Sequence, residues 1–345
     1  LDFIGIIMAL SITGGVSLTG TQASKKFNLT GPTWTLTHLP VALSLTSASA
    51  ADPSFSTNGA MIVGGRIGGG GFLMYYSHDK GVTWTASTSN PLTGTGGGSP
   101  TNFCVRSNKN GMFVCYGNTG TAYVSSNGGV TWVQHAWAGA GAGGGNGFVY
   151  WDDSASRWYH LFQTSNTIWY STDGFTTTSM SIGTLANITC GASNGAGKMI
   201  IAGASGATKV TLNGGSSWAS GGTMPAPGDV VSMSYGNGVW VASPNALSGF
   251  LYYSTDDGTT WNQTTTFYGP NNAAMGTSIW ADDLWIQAAG SLSFKSLDGI
   301  TWTAANTING VSLSRPNVDF MYNGGVYTYI CANQFSSNDN ISIGT

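Results

Sequence analysis

Paired carboxylates are the first feature of this 345-residue chain that could do chemistry: Asp152-Asp153, Asp256-Asp257 and Asp282-Asp283 each set two acidic groups side by side. Most glycoside hydrolases use two carboxylates about the scissile bond. All three pairs fall in turn-like stretches, however, where Asp is favoured because its side chain bonds the local backbone. The 14 acidic residues are all Asp, with no Glu to share the work. The arginines are Arg66, Arg106, Arg157 and Arg315, far apart in sequence. His38, His78, His135 and His160 show no metal-ligand spacing, and the runs "GGGG" and "GAGAGGGNG" lack the Lys-Ser/Thr ending of a phosphate-binding loop. No cofactor or metal is expected from these motifs.

The four cysteines form no CxxC pair. If "SNKNGM" (107–112) is a turn that sets Ser107 opposite Met112, then Cys104 faces Cys115 across two strands. Two readings follow: a cross-strand disulfide, or two buried thiols acting as small hydrophobes.

The elements that must position these groups are short strands. Gly numbers 52, aromatic residues make up 12% of the chain and charged residues only 7%, against a usual level of about 25%. Aromatic content of this size builds a core, so the chain is read as folded and not disordered. The net charge of -3, with Lys and Arg scattered singly, offers no basic stripe for nucleic acid. A surface of Ser, Thr, Asn and Gly suggests an exported or virion protein. Sequons at Asn28, Asn187, Asn262 and Asn340 would matter only in a glycosylating host.

One octet recurs: "SHDKGVTW" ending at Trp84, "SSNGGVTW" at Trp132, a degenerate "STDGFTTT" from Ser171, "TLNGGSSW" at Trp218, "STDDGTTW" at Trp261 and the shorter "SLDGITW" at Trp302. A period near 43 to 48 residues is the length of one four-stranded propeller blade. In the clearest unit, Val230–Tyr235, Val239–Ser243, Phe250–Ser254 and Thr260–Thr264 read as four strands bounded by Gly, Asn or Asp. Within the octet, Asp or Asn (Asp79, Asn127, Asp173, Asn213, Asp256, Asp298) can accept backbone N–H bonds, Gly takes a left-handed turn and Trp packs between sheets.

The octet resembles the Asp box, or BNR repeat, of sialidase-like β-propellers, S-x-D-x-G-x-T-W. The copies cover residues from about 55 to 305, and five of the six keep the Trp. The resemblance implies that the box lies between the third and fourth strands, on the face away from the ligand site, as scaffold. For sialidase chemistry it implies an arginine triad, a Tyr nucleophile tuned by Glu, and an Asp acid/base. The missing Glu and the four arginines stand against that chemistry.

Both ends carry pieces of a further unit. "VDFMYNGGVYTYICA" repeats the first two strands, and "KKFNLTGPTWTLT" aligns with "SFKSLDGITWTAA", matching Gly31 to Gly299 and Trp34 to Trp302. The expected fold is therefore all-β, a seven-bladed β-propeller over 23–345 closed by pairing of N- and C-terminal segments. The third strand of the closing blade comes from either 23–27 or 340–345. Residues 1–22, "LDFIGIIMALSITGG" and its continuation, form a short apolar N-terminal arm, too short for a membrane span. Docking onto a neighbouring subunit, in oligomerisation or anchoring, is favoured for it over packing on its own propeller.

The resulting functional expectation is a non-enzymatic structural or adhesion protein of a virion (phage tail or capsid-associated) or cell surface, binding a host glycan or a neighbouring subunit. Unadorned repeats such as "GNGVWVAS…YYSTDDGTTW" resemble the propellers carried by phage tail and other virion proteins. Candidate ligand residues, placed in loops opposite the boxes, are His38, Arg66, His135, Trp137, Phe267, Tyr268 and Arg315. The alternatives are a secreted sialidase-like glycoside hydrolase and an intracellular assembly factor that docks proteins; scarce charge weighs against the latter.

Overall fold

The computed structural model describes residues 31–66, 72–89, 104–116, 121–136, 147–162, 167–185, 187–225, 230–244, 250–264, 275–281, 283–308, 316–323, 326–333 and 338–345. The arm (1–22) and the candidates Trp137, Phe267, Tyr268 and Arg315 lie outside them.

Alternating apolar positions and Gly- or Asn-centred turns produce seven antiparallel blades. Blade 1 uses the end of β1 (Trp34–Asp52) with β2 (Ala60–Arg66), β3 (Phe72–Ser77) and β4 (Thr85–Ala86). Blade 2 is β5 (Cys104–Ser107), β6 (Phe113–Tyr116), β7 (Thr121–Ser125) and β8 (Val133–Ala136). Blade 3 is β9 (Gly147–Asp152), β10 (Arg157–Phe162), β11 (Thr167–Ser171) and β12 (Thr178–Ser181). Blade 4 is β13 (Cys190–Ser193), β14 (Met199–Ala202), β15 (Thr208–Thr211) and β16 (Ala219–Ser220). Blade 5 is β17 (Val230–Gly236), β18 (Val239–Pro244), β19 (Tyr252–Ser254) and β20 (Asn262–Gln263). Blade 6 is β21 (Met275–Ala281), β22 (Leu284–Ala289), β23 (Leu292–Ser296) and β24 (Thr303–Thr307). Blade 7 is β25 (Pro316–Asn323), β26 (Val326–Asn333), β27 (Asn338–Gly344) and the start of β1.

The ring closes through β1. Its residues Trp34–His38 pair with β27 as the outer strand of blade 7, and Ala48–Asp52 pair with β2 as the inner strand of blade 1. The third strand of the closing blade is thus the C-terminal segment. The inner strands β1, β5, β9, β13, β17, β21 and β25 touch one another in order and return to β1, which leaves no open edge at the junction.

Buried side chains gather in one cluster at each of the seven junctions between blades. Five of them take the box Trp of the following blade: Trp84 between blades 7 and 1, Trp132 between 1 and 2, Trp218 between 3 and 4, Trp261 between 4 and 5, Trp302 between 5 and 6. Trp34 does the same between blades 6 and 7, as its alignment with Trp302 requires. Between blades 2 and 3, Thr177 stands in the Trp position, and Trp158, Trp151, Trp169 and Phe175 supply the aromatic bulk instead.

The box itself is a hydrogen-bonded turn. Ser77 Oγ donates to Asp79 Oδ1 (2.7 Å) and accepts the Gly81 N–H (2.8 Å), while Asp79 accepts the Thr83 N–H (2.9 Å) and hydroxyl (2.6 Å). Ser254, Asp256, Gly258 and Thr260 repeat the pattern. Asn127 and Asn213 keep it with the side-chain amide donating to Thr131 and Ser217. The seven-residue form at Asp298 brings the Ile300 and Thr301 N–H groups onto one carboxylate oxygen; Asp173 holds Phe175 and Thr176 likewise. Every box turn therefore sits between the third and fourth strands of its blade.

The turn is also pressed against the preceding blade. Gly81 (φ +85°) leaves no room for a Cβ, which would stand 2.5 Å from Ile343 of blade 7, and a Cβ at Gly258 would stand 2.7 Å from Ile200 of blade 4. Hydrogen bonds fasten the same contact: Thr88 N–H to Val130 O (2.9 Å), Gly222 N–H to Gly258 O (2.7 Å) and Tyr159 Oη to Gly214 O (3.1 Å).

The register of blade 2 differs from the sequence expectation. Ser107 pairs with Phe113, and Cys104 faces Tyr116 while Val105 faces Cys115. The cause is a turn with two left-handed residues, Lys109 (φ 56°) and Gly111 (φ 88°), closed by Asn108 N–H to Met112 O (3.1 Å). A one-residue shift turns side chains to opposite faces of a sheet. Cys115 accordingly packs toward blade 1 and Cys104 toward blade 3, and all four cysteines are buried free thiols. The cross-strand disulfide is not formed.

Two predictions follow from this packing. Trp261→Ala should cost about 3–5 kcal/mol in chemical denaturation, as a buried aromatic lost from a core, and Trp218→Ala, at a half-buried box, should cost less. The second concerns acid. Burial of His160 lowers its pKa to about 3, opposed by the Asp173 carboxylate, so its contribution is complete above pH 6.5 and lost as pH falls toward 3. Burial works to raise the pKa of Asp79 and Asp298, but the bonds from Thr83 and Thr301 outweigh it; at Asp256 the Thr260 N–H leads the lowering. These carboxylates release stability only below their ordinary value of 3.8. The melting temperature should thus fall in two stages on acidification, and His160→Gln should flatten the first.

Candidate functional site

Outside the boxes, several described charged side chains lie near the turns between the first and second strands of their blades. β1 ends in Asp52, which is fully buried and accepts bonds from the Ser54 N–H (2.9 Å), the Gly111 N–H (2.9 Å) and the Ser107 hydroxyl of blade 2 (2.5 Å). Blade 3 repeats the device: Asp152 holds the Ser154 hydroxyl (2.7 Å) and the Ala155 N–H (3.0 Å), and accepts the Ser193 hydroxyl of blade 4. In both cases an aspartate caps its own turn and receives the next blade.

Lys109 ties three blades together. Its left-handed turn in blade 2 sends Nζ past blade 1, where it donates to Ala51 O (2.7 Å), and onto blade 7, where it meets Asp319 (3.0 and 3.1 Å) and Phe320 O (2.9 Å). Asp319 also accepts the Ala51 N–H (2.9 Å) and the Phe320 N–H (2.8 Å). This partly buried pair stands at the junction where the chain ends close the ring. Breaking such a pair from one side leaves the other charge uncompensated.

Arg106, the neighbour of this node, belongs to the same inner ring. It is half-buried on β5, with Nη1 bonded to Val105 O (2.9 Å) and Cζ 6.0 Å from the centre of the Tyr150 ring of blade 3. Burial tends to lower its pKa, and the surrounding groups Cys104, Tyr150 and Asp319 more than offset this, so the guanidinium stays charged. Tyr150 is pushed upward, chiefly by burial, and its hydroxyl accepts the Gly191 N–H of blade 4 (3.0 Å).

Two of the three aspartate pairs, Asp152-Asp153 and Asp256-Asp257, are engaged by the fold itself, and Asp282 lies outside the described residues. Asp153 accepts the Trp151 Nε1–H (2.6 Å) beside the buried Asp152. Asp256 organises its box, while Asp257 pairs with Lys198 of blade 4 (2.5 Å) and accepts the Trp240 Nε1–H (3.3 Å). Asp283, just before β22, adopts φ 57°. Arg157 stacks over Tyr170 at 4.7 Å.

The candidates for the opposite face do not converge among the described residues. Arg66 is the last residue of β2, at the entrance to the second-to-third strand connection. His38 is not in a loop: it is an exposed residue of β1, opposite Asn340. His135 is likewise on a strand, β8, stacked on Phe175 of blade 3 with ring centres 3.6 Å apart and planes 8° apart. Its ring packs beside the junction that lacks a box Trp. Arg106 and Lys109 were missed by sequence reasoning; a basic residue within the inner strand of "CVRSNKNG" is the one local signal that pointed to them.

Lys109→Met should lower stability more than removal of an exposed ion pair, which is worth at most about 1 kcal/mol. Asp319→Asn in the same background should recover part of that loss, as read by urea denaturation of the four corners of the cycle.

Residues 75–86 match the BNR/Asp-box repeat. No curated protein matches the sequence at a significant level. Among solved structures, virginiamycin B lyase from Staphylococcus aureus superposes with a TM-score of 0.66 at 12% identity, over 91% of this chain and 99% of that one. YCF48 from Cyanidioschyzon merolae gives 0.61 at 13%, over 90% and 98%, and a YCF48 bound to D1 peptide gives 0.62 at 12%, over 90% and 94%. At these identities the likeness is one of fold. With the repeat matched and seven blades counted round the ring, the chain is a BNR-type seven-bladed β-propeller.

Proposed function

We propose that this propeller is a non-catalytic recognition and assembly protein at the outer surface of a virion or cell, binding a glycan or a neighbouring subunit. Residues 1–22 serve in this reading as the arm that joins it to other subunits, and 23–345 as the propeller. The carbohydrate-facing residues are sought in the loops opposite the boxes, with Arg66 at the entrance to one of them.

The observation that carries the reading is the engagement of the carboxylates. Asp79, Asp173, Asp256 and Asp298 fold the boxes, Asp52 and Asp152 clasp neighbouring blades, and Asp257 and Asp319 are paired with lysines. Glycoside hydrolysis needs a proton donor aimed at the leaving oxygen and a partner across the bond. These aspartates are directed instead at backbone, hydroxyl and lysine groups of their own fold, and the chain has no Glu to substitute.

Mass photometry of native protein, with and without residues 1–22, tests the assembly half. A defined oligomer that falls to monomer on deletion is expected, and an oligomer that survives deletion would overturn the role of the arm. A glycan array and a fluorogenic sialoside test the rest. Binding without turnover is the expected outcome, whereas hydrolysis would establish the secreted glycosidase alternative.

A further inference from the structure

Arg106 is a half-buried cation with much of its hydrogen-bonding capacity left open by the fold. A guanidinium carries about five N–H donors in a planar fork. Arg106 gives one bond, to the carbonyl of the residue before it, and meets no carboxylate at ion-pair distance among the described residues. The residue is half-buried, and none of its other donors is a fully sealed, unsatisfied atom.

The surroundings explain why no internal partner takes them. Along β5, side chains alternate, so Ser107 goes to Asp52 of blade 1 while Arg106 is turned toward blade 3. Asp319, the carboxylate whose field reaches Arg106, is already held by Lys109 and by two backbone N–H groups. Lys109 and Asp319 neutralise each other, and Arg106 remains as a positive charge beside an aromatic wall, Tyr150, at the ring of inner strands. A half-buried cation without a carboxylate partner is costly in an isolated fold.

We propose that Arg106 anchors a carboxylate-binding site at the inner ring between blades 2 and 3, with Tyr150 as its wall and the Lys109–Asp319 pair as its border. The free fork matches a carboxylate by two parallel bonds. The carboxylate comes from a polypeptide C-terminus or from an acidic sugar. This site is separate from the loops invoked above for glycan recognition.

Selective 15N labelling of arginine gives four side-chain signals, one per arginine, and Arg106→Gln identifies the one of interest. The probes are triglycine and its C-terminal amide, N-acetylneuraminic acid and its methyl ester, and inorganic phosphate. Saturable movement of the Arg106 signal by an acid but not by its amide or ester is expected, with a dissociation constant on the order of 1 mM. Response to triglycine alone assigns a chain terminus, and response to neuraminate alone assigns an acidic sugar. Arg106→Gln should weaken binding, followed by tryptophan fluorescence, at least about 10-fold, and Arg106→Lys should weaken it less, since charge persists without the fork.

Equal response to the neutral derivatives would overturn the proposal, as would equal movement of the Arg157 signal, tighter binding of phosphate, or no movement at all. Should Arg106→Gln fail to fold, Arg106→Lys and the acid-versus-amide comparison on the unaltered protein still decide the question.

Discussion

The bond from a box Ser to its Asp is the contact on which the rest of the molecule depends. It ties the third strand to the turn and orients the Asp carboxylate to accept the Thr83 N–H while the Ser oxygen accepts that of Gly81, and so fixes where the following Gly and Trp point. Only with that geometry set can Gly81 lie against Ile343 and Trp84 enter the junction with blade 7. Sheets that would otherwise meet on smooth apolar faces are thereby given a defined spacing and rotation. Blade 3 illustrates the point by departing from it. Its Ser171 hydroxyl pairs with His160 and its box lacks Trp, and the adjoining junction is filled by tryptophans from β9, β10 and β11.

Scarcity of charge takes on a meaning in this setting. A chain with 7% charged residues cannot rely on diffuse surface ion pairs, and several of the described charges sit where blades meet. Lys109 crosses blade 1 to reach blade 7, Lys198 reaches the box of blade 5, and Asp52 and Asp152 receive hydroxyls from the blade that follows. Hydroxyl and amide groups do elsewhere what ion pairs do at these points. Arg106 meets no carboxylate among the described residues, which gives it a different standing from the lysines that close the structure.

Much of the fold was legible because its signals are local. The octets announce their own hairpins, and Trp34 could be matched to Trp302 before any contact was known. What was not legible depends on neighbours distant in sequence or on one extra residue in a turn. The pairing of Cys104 with Cys115 failed because Lys109 and Gly111 both take left-handed conformations, which no pattern of apolar residues reveals. The choice of β27 as the closing strand rests on pairing between residues at opposite ends of the chain. The inner-ring grouping of Arg106, Tyr150 and Asp319 draws on three blades. His38 and His135 looked like loop residues but lie on outer strands, His38 within the long β1 that passes from blade 7 to blade 1 and His135 on the four-residue β8.

The way the ring closes has a mechanical consequence. Thr33 and Thr345 exchange two backbone hydrogen bonds (3.0 and 3.1 Å), and Trp34–Thr37 run antiparallel to Ile341–Gly344, so the incoming and outgoing chain lie side by side at one corner of blade 7. Tension applied between these two points would load the bonds one after another, as a zipper is opened, and not all together in shear. A propeller tethered at one end only keeps this seam unloaded, whereas one pulled from both ends is opened at its weakest geometry. Attachment through a single terminus is thus the arrangement in which this architecture can bear force.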